Sequence, residues 1–577
     1  MITIYERATS LIVTGNPDEI TKLVDSFRFR PNGYFFAVTF QRWKVTEGEE
    51  GWDGYIYPLR RINSATASAL RGYKADIIKY STIYGFELDL SHLLEYPFRN
   101  LTVEDVPADI IAGDHTLDER QRQCICSWLK AGIGFNKITV GGGKTATFAG
   151  AAAMIKQRYP QARFLYLTPA ERLVKQATKE MRKFLPHFDI GQYGGGYKQS
   201  EAQDMVICTV AMLNRNFNAL QKRGWLDTFI AVLYDEVHHC GSKSNQKILA
   251  AVPAYFRLGA SDTSKEKDPS RASSIRGLFG PLLNEVTSTP LLDIGRLARP
   301  NIYVVDIPSW AGRFANVSYR PALDSDAFML LDGEWVKGVY KGPVYELDAN
   351  GEVKMRQVKT AEKDDEGNWI TAEEPVTVTG LHKLLIEGAE LEVESRWCLL
   401  NRMYDRAIIQ FKARNELIVK WAKYFSSQGW PTVIVATRTT HVYILEALVS
   451  EAVGRDNVRI LIGNDSPAVR DETFQWLKQT PGSVLVSPLV KEGVSINEIR
   501  GMIVADQVAD YEVARQIIGR AMRPKKSDNV CHVVWFWDKQ HPVLRKGCTE
   551  VLSRLERTEG FKFVHPCSDP ASAFGSG

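Results

Sequence analysis

"ITVGGGKTATFAG", residues 138–150, runs from an apolar strand end through three glycines into Lys144, Thr145 and a helix of small residues. The phosphate-loop pattern has a glycine five positions before the last loop glycine, and Ile138 stands there instead. What remains carries the chemistry. Gly141, Gly142 and Gly143 have no side chains to block close approach, so backbone N–H groups can face phosphate oxygens. Lys144 can then reach the β- and γ-phosphates of ATP, and the Thr145 hydroxyl can bind Mg2+. Residues 135–140 suit a strand end, and 146–154 suit a helix whose N-terminus favours anions. A plain glycine turn before a helix is the competing reading, so the rest of the chain decides between them.

At 577 residues the chain is expected to form several domains, because single cores rarely grow beyond about 250 to 300 residues. Its 44% hydrophobic and 24% charged residues are those of a soluble globular protein. The net charge is only +4, so polyanion binding must come from local patches. No secretory leader and no membrane-spanning apolar run is visible, and a cytoplasmic protein without membrane contact is expected. Eight scattered cysteines make no disulfide framework. Cys124 and Cys126 are too close for a zinc knuckle, and "HHC" (238–240) has no second cluster at ligand spacing, so no structural metal is assigned. The final "FGSG" is left out of the fold argument.

Residues 117–310 alternate apolar runs with helical stretches, the pattern of a parallel α/β sheet. "ARFLYLTP" (162–169), "DMVICTV" (204–210), "FIAVLYDE" (229–236) and "AYFRLGAS" (254–261) suit strands covered on both faces. Residues 170–184 and 245–251 read as helices. A second series follows: "TVIVAT" (432–437), "VRILIG" (458–463), "SVLVSP" (483–488), "GMIVADQ" (501–507) and "HVVWFWD" (532–538), with "NIYVVDIP" (301–308) supplying one more strand. The expected fold class is therefore α/β, with two parallel-sheet lobes. Residues 113–297 form the first, ATP-binding lobe; 298–313 and 398–545 form the second. Residues 314–397 read as a β-rich acidic insertion with hairpin turns at "DANGE" and "DDEGNW"; a disordered acidic loop near 363–367 is the competing reading. Residues 1–112 form a small α+β unit of interleaved aromatic and basic residues, and 546–577 a C-terminal extension.

"AVLYDEVHH" (231–239) ends a strand in Asp235 and Glu236, where ligands bind in parallel α/β folds. Asp235 can hold Mg2+, and Glu236 can orient and deprotonate an attacking water. In "QIIGRAMRP" (516–524), Arg520 and Arg523 are three apart, hence expected on one helix face, and can stabilise charge on the γ-phosphate. "GQYGGGYKQ" (191–199) lacks a following GK[ST] and reads as a turn between strands.

Taken in order, these stretches resemble a superfamily-2 DExH helicase, which implies that the two parallel-sheet lobes are RecA-like. "TLDERQRQCI" is similar to the adenine-reading segment, with Gln121 the reader. "TPAERLVKQ" (168–176) and "CTVAML" (208–213) resemble strand-contact motifs, which points to Thr168, Pro169, Arg172, Gln176 and Thr209. "DEVHH" matches the Walker B box, and "GASDT" (259–263) takes the place of the Ser-Ala-Thr coupling motif. "ATRTTH" (436–441), "SPLVKEGVSI" (487–496) and "QIIGRAMR" fit the second lobe's motifs, which adds Arg438, Gly493, Gln516 and His441; a helix-capping role for His441 is equally open. Ile138 departs from the loop pattern and Asp262 from the coupling motif's alanine, which puts coupling in doubt rather than nucleotide binding.

The N-terminal "SFRFRPNGYFF", "GWDGYIYPL" and "ALRGYKADIIKYSTIYGFEL" (69–88) resemble the substrate domain of UvsW-type phage helicases, with XPB-like relatives. That resemblance implies an ATP-dependent DNA helicase or translocase that remodels branched DNA by fork regression, branch migration, or D-loop or R-loop dissolution, acting in a bacterial host cytoplasm. Arg28, Arg30, Arg42, Lys44, Arg60 and Arg61 are candidates to grip phosphates, and Trp43, Trp52 and Tyr55 to stack on bases; core packing is the other reading of those aromatics. An RNA helicase and an ATP-gated nucleic-acid clamp are the alternatives. No nuclease cluster favours a restriction motor subunit.

Overall fold

The computed structural model describes residues 1–577 except 114, 140, 195–196, 199–200, 263–265, 267, 308–318, 322–325, 332–333, 349–350, 364–368, 387–388, 395–403, 464, 489–497, 526–527, 539–541, 568 and 575–577. The chain divides into two compact units, Met1–Ala298 and Arg299–Gly577.

The first unit is built around an eight-stranded sheet. Its spatial order is Leu282–Val286, Ile133–Ile138, Phe256–Ser261, Ala231–Asp235, Phe164–Thr168, Met205–Thr209, Ile190–Gly194 and Tyr197–Lys198. All neighbours are parallel except the last pair, a hairpin where the sequence suggested a turn. The apolar runs are buried along almost their whole length, as strands covered by helices on both faces must be. The helices Glu119–Ala131 and Lys144–Arg158 cover one face, where Trp128 stacks on Phe148 with centroids 5.0 Å apart. Deleting such a buried aromatic costs about 3–5 kcal/mol. The expected strands over 162–169, 204–210, 229–236 and 254–261 are present; the helices Val210–Lys222 and Pro269–Phe279 extend that reading.

Within the same unit the N-terminal module keeps its own sheet, in the order Arg60–Asn63, Thr66–Leu70, Ser10–Thr14, Ile2–Glu6 and Leu88–Asp89. The helix Pro17–Phe27 starts at a capping box between Asn16 and Glu19 and buries Ile20, Leu23, Val24 and Phe27, the i, i+3, i+4, i+7 stripe. The module joins the larger sheet through buried charge. Glu6 Oε1 accepts from Arg71 Nε at 2.9 Å and Tyr96 Oη at 2.8 Å, and both Glu6 oxygens lie 3.0 Å from Lys74 Nζ. Arg71, 1% exposed, also donates to the carbonyls of Ala254 and Tyr255 at 3.1 and 2.7 Å, just before the strand Phe256–Ser261. Burial raises the Glu6 pKa, but Lys74 and Arg71 outweigh it and hold the carboxyl below its ordinary value.

In the second unit a seven-stranded, all-parallel sheet has the order Val458–Ile460, Val484–Ser487, Thr432–Val435, Gly501–Val504, Val530–Trp537, Arg299–Asp306 and Lys562–Cys567. The strand expected over 301–308 is thus present, between a strand of the lobe and one from the C-terminal segment. The C-terminal residues also pack: Phe574 stacks on Tyr424 at 4.8 Å. The insertion is β-rich. Five antiparallel strands between Tyr319 and Glu394 form one sheet, and Met355–Lys363 pairs with Trp369–Pro375. At "DANGE" the Gly351 N–H donates to the Asp348 carbonyl with Gly351 at φ +83°, a turn that favours glycine. The "DDEGNW" turn lies largely outside the described residues.

Candidate nucleotide site and nucleic-acid surface

The loop between Ile138 and Lys144 turns on glycines. Gly141 and Gly143 have φ of +79° and +83°, and a Cβ at Gly142 would sit 2.7 Å from Ile138 Cγ2. Residue 138, where the loop pattern has glycine, therefore packs against the loop instead of opening it. Gly143 caps the helix Lys144–Arg158, so the helix N-terminus and Thr145 lie at the mouth of the loop. Gln121 is buried: its Oε1 accepts from the Asp118 N–H at 3.0 Å and its Nε2 reaches the Gly142 carbonyl at 3.3 Å. It braces the loop from the helix Glu119–Ala131.

Asp235 ends the strand Ala231–Asp235, which shares the Phe256–Ser261 strand as a neighbour with Ile133–Ile138. Glu236 follows with φ +56°, a left-handed conformation that costs energy outside glycine. That turn aims Glu236 at the loop: Lys144 Nζ lies 2.5 Å from Glu236 Oε1. Burial works against the Lys144 ammonium, yet Glu236, Asp262 and Asp235 outweigh it and keep its pKa above the ordinary value. Burial pushes Asp235 up to about 7, with Lys144 opposing the rise and Glu236 adding to it. A second cation beside these carboxylates would relieve their repulsion, which is the electrostatic setting a magnesium site has.

His238 turns back to the same place. Its Nδ1 lies 2.8 Å from Ser261 Oγ and 3.5 Å from Glu236 Oε2, and burial lowers its pKa. Asp262 is 2% exposed. Among the described residues, Glu236, His238 and Asp262 form a group whose potential ligand atoms lie within 4.8 Å of one another. The sequence placed no partner cluster near "HHC" because Asp262 reaches it from just past the end of the strand Phe256–Ser261. The seven cysteines among the described residues are buried and unpaired.

The remaining expected residues are spread over both units. Thr168 is fully buried and its hydroxyl donates to the Ala170 carbonyl, so it shapes the turn rather than a surface. Pro169 and Arg172 are half-buried; Gln176 is exposed and donates to Glu180 at 2.9 Å. Thr209 caps the helix Val210–Lys222. Gln516 and Arg520 are four apart on the helix Tyr511–Ala521, but Arg523 lies past its C-cap, Met522. The expected shared face of Arg520 and Arg523 is corrected accordingly: Pro524 disfavours helical backbone at the residue before it. Arg438 caps the helix Thr439–Val453 and lies over the Tyr404 ring at 5.6 Å. Gly493 lies outside the described residues, as does Thr263.

His441 is corrected most. It is fully buried, with Nδ1 2.5 Å from Asp506 and Nε2 3.0 Å from Asn415, so it cannot meet a strand at the surface. Asp506 also accepts from the Thr437 hydroxyl at 2.6 Å, which ties the start of this motif to the sheet.

In the N-terminal module, Trp43 packs along Phe40 and against Gly48, and Trp52 donates from Nε1 to the Tyr55 carbonyl at 2.7 Å. Both are half-buried scaffold. Arg42 is exposed. The exposed cationic face is built differently: Arg30 lies 4.6 Å from the Tyr55 ring and 4.8 Å from Tyr34, and Arg28 lies 4.7 Å from Tyr55. Composition flagged these residues, but their stacking depends on the bridge that pairs Phe29 with Ile56.

Residues 114–266 match the family model described as "Type III restriction enzyme, res subunit". The chain is 24% identical over 214 residues to the DNA 3'-5' translocase XPB2 of Sulfurisphaera tokodaii, covering 37% of this chain and 45% of that protein. It is 28% identical over 213 residues to the putative DNA 3'-5' helicase Rad25 of Haloarcula marismortui, covering 36% and 32%. The chain thus spans less than half the length of these curated relatives. Among solved structures, UvsW of T4 aligns over 98% of both chains at 15% identity with a TM-score of 0.38. A putative HsdR subunit fragment from Vibrio vulnificus aligns over 80% of this chain and 70% of that one, at 14% identity and a TM-score of 0.49. No helix among the described residues is long and apolar enough to cross a membrane.

Proposed function

We propose that this chain, a superfamily-2 helicase by its motif order and its two parallel sheets, is a DNA-dependent ATPase that remodels branched DNA. The observation that carries the reading is the Lys144–Glu236 pair at the glycine loop, with Asp235 and Asp262 beside it. Lys144 and the loop N–H groups bind the β- and γ-phosphates of ATP. Glu236 takes the proton of the attacking water as its oxygen bonds to the γ-phosphorus and the bond to ADP breaks. Thr145 and Asp235 are the residues suited to Mg2+, which when bound neutralises charge on the phosphates.

The partner is DNA rather than protein because Arg28, Arg30, Tyr34 and Tyr55 combine phosphate-binding charge with flat rings in one module. Moving a branch breaks one base-pair step of about 1.4 kcal/mol while forming another, so hydrolysis chiefly supplies direction. ATPase rates measured with single strands, duplex, fork, four-way junction, R-loop and RNA test the proposal. Stimulation is expected to be largest with fork or junction. Equal stimulation by plain single-stranded RNA, or none by any nucleic acid, refutes it. ATP-dependent binding without strand displacement identifies the clamp instead.

A further inference from the structure

The helix Pro269–Phe279 has two separate attachments. Near its start, Arg271 lies against the turn that follows Asp235 and Glu236: a Cβ at Gly241 would come within 3.0 Å of Arg271 Cβ. Near its end it lies on the N-terminal module. Arg276 Nε and Nη2 each donate to Asp76 at 2.6 Å, a bidentate pair. Tyr73 Oη donates to the Ser273 carbonyl at 2.6 Å. A Cβ at Gly72 would lie 2.1 Å from the Arg276 carbonyl oxygen and 2.6 Å from that of Gly277, so backbone meets backbone there.

The strand before this helix is held in the same way. Arg71 fixes the carbonyls of Ala254 and Tyr255 at one end of Phe256–Ser261, and Ser261 Oγ holds His238 at the other. Strand and helix therefore run from the N-terminal module to the hydrolytic residues and back. Eleven helical residues at about 1.5 Å each span roughly 16 Å, short enough to move as one rigid rod.

We propose that the helix Pro269–Phe279 is a relay by which nucleic acid on the N-terminal module sets the position of Glu236 and His238, with Asp76 and Arg276 as its positioning residues. The proposal rests on the reading of that module as the DNA-binding part. A shift of the module carries Arg276 with it through the bidentate pair, and Arg271 transmits the shift to the turn Val237–Gly241. Neither Asp76 nor Arg276 belongs to the nucleotide site, so they alter the response to DNA without altering the hydrolytic groups themselves.

The test uses the full chain with a synthetic forked duplex. Arg276→Ala and Asp76→Ala are expected to keep the DNA-free ATPase rate and the half-maximal fork concentration within about twofold, while the rate at saturating fork falls about fivefold or more. The exchanged pair, Asp76→Arg with Arg276→Asp, is expected to recover the stimulated rate. Hydrogen exchange of amides at 237–241 is expected to change on fork addition in the wild type and not in Arg276→Ala. Arg276→Lys, which keeps the charge but loses the second hydrogen bond, is expected to fall between, and it serves if the alanine variants do not fold. Full stimulation in the variants of a stimulated wild type overturns the relay alone, as does a loss of fork affinity equal to the loss of rate. A wild type that neither binds fork nor responds to it overturns the proposed function, and the relay with it.

Discussion

Lys144 and Glu236, the lysine of the glycine loop and the carboxylate after the Asp235 strand, are ion-paired at 2.5 Å. Phosphates and Glu236 thus compete for one ammonium. Glu236→Gln removes the competitor together with the base, so nucleotide binding is expected to tighten while hydrolysis falls by about 10²–10⁴-fold. Lys144→Ala is expected to lose both nucleotide binding and strand displacement, yet to leave DNA binding largely intact. Fluorescent-nucleotide titration, single-turnover hydrolysis and strand displacement separate the two variants.

Asp262 stands where the coupling motif has alanine, buried and close enough to raise the pKa of both Lys144 and Asp235. A buried carboxylate at this place repels a triphosphate. Asp262→Ala is therefore expected to lower the ATP concentration for half-maximal rate several-fold, about 1 kcal/mol in binding. Steady-state kinetics at fixed fork concentration measure it; an unchanged or raised KM contradicts the argument.

The Glu6 carboxyl is held below its ordinary value of 4.5 by Lys74 and Arg71, despite burial. Its folded pKa is lower than its unfolded one, so its contribution to stability is present above about pH 4.5 and is lost as pH falls through the folded value. Asp506, also lowered, acts in the same direction from 3.8 downward. Denaturant midpoints between neutral pH and pH 3 are expected to fall steeply at the acid end. Glu6→Gln, which leaves Arg71 buried without its carboxylate, is expected to cost about 3–5 kcal/mol and to flatten that slope.

His441 bridges Asp506 and Asn415 beneath the second-lobe motif. His441→Ala is expected to lower the unfolding temperature, because two buried acceptors lose a partner at about 1–3 kcal/mol each. Fork affinity measured on the folded fraction is expected to change by less than twofold. A large affinity loss at unchanged stability would restore the strand-contact reading.

On the N-terminal module, Arg28→Ala with Arg30→Ala is expected to weaken fork binding and to reduce the salt slope by about 2, one phosphate for each cation. Trp43→Ala is expected to act on stability instead, since its ring packs on Phe40 and Gly48. Binding isotherms over a range of salt, beside melting curves, distinguish the two effects.

The parallel sheets were legible because strands covered on both faces must be continuously apolar, and 231–235 and 256–261 have no other way to be buried. Gly141–Gly143, Lys144, Asp235 and Glu236 were legible for a related reason: loop and strand-end chemistry depends on local spacing. Residue roles set by distant neighbours were not. Thr168 ends an apolar strand and His441 follows one, and polar side chains there look the same whether they face solvent or, respectively, the Ala170 carbonyl and the buried Asp506. Arg71, Arg276 and Asp76 were not legible as partners, because the side chains they pair with lie between 25 and 200 positions away and the rest of their contacts are backbone carbonyls. Amino-acid sequence by itself determined the sheet pattern and the nucleotide-loop chemistry, since both follow from periodicity and short-range sterics. Only tertiary structure decided which polar groups are buried together, since desolvation forces each of them to find a partner wherever the fold brings one near.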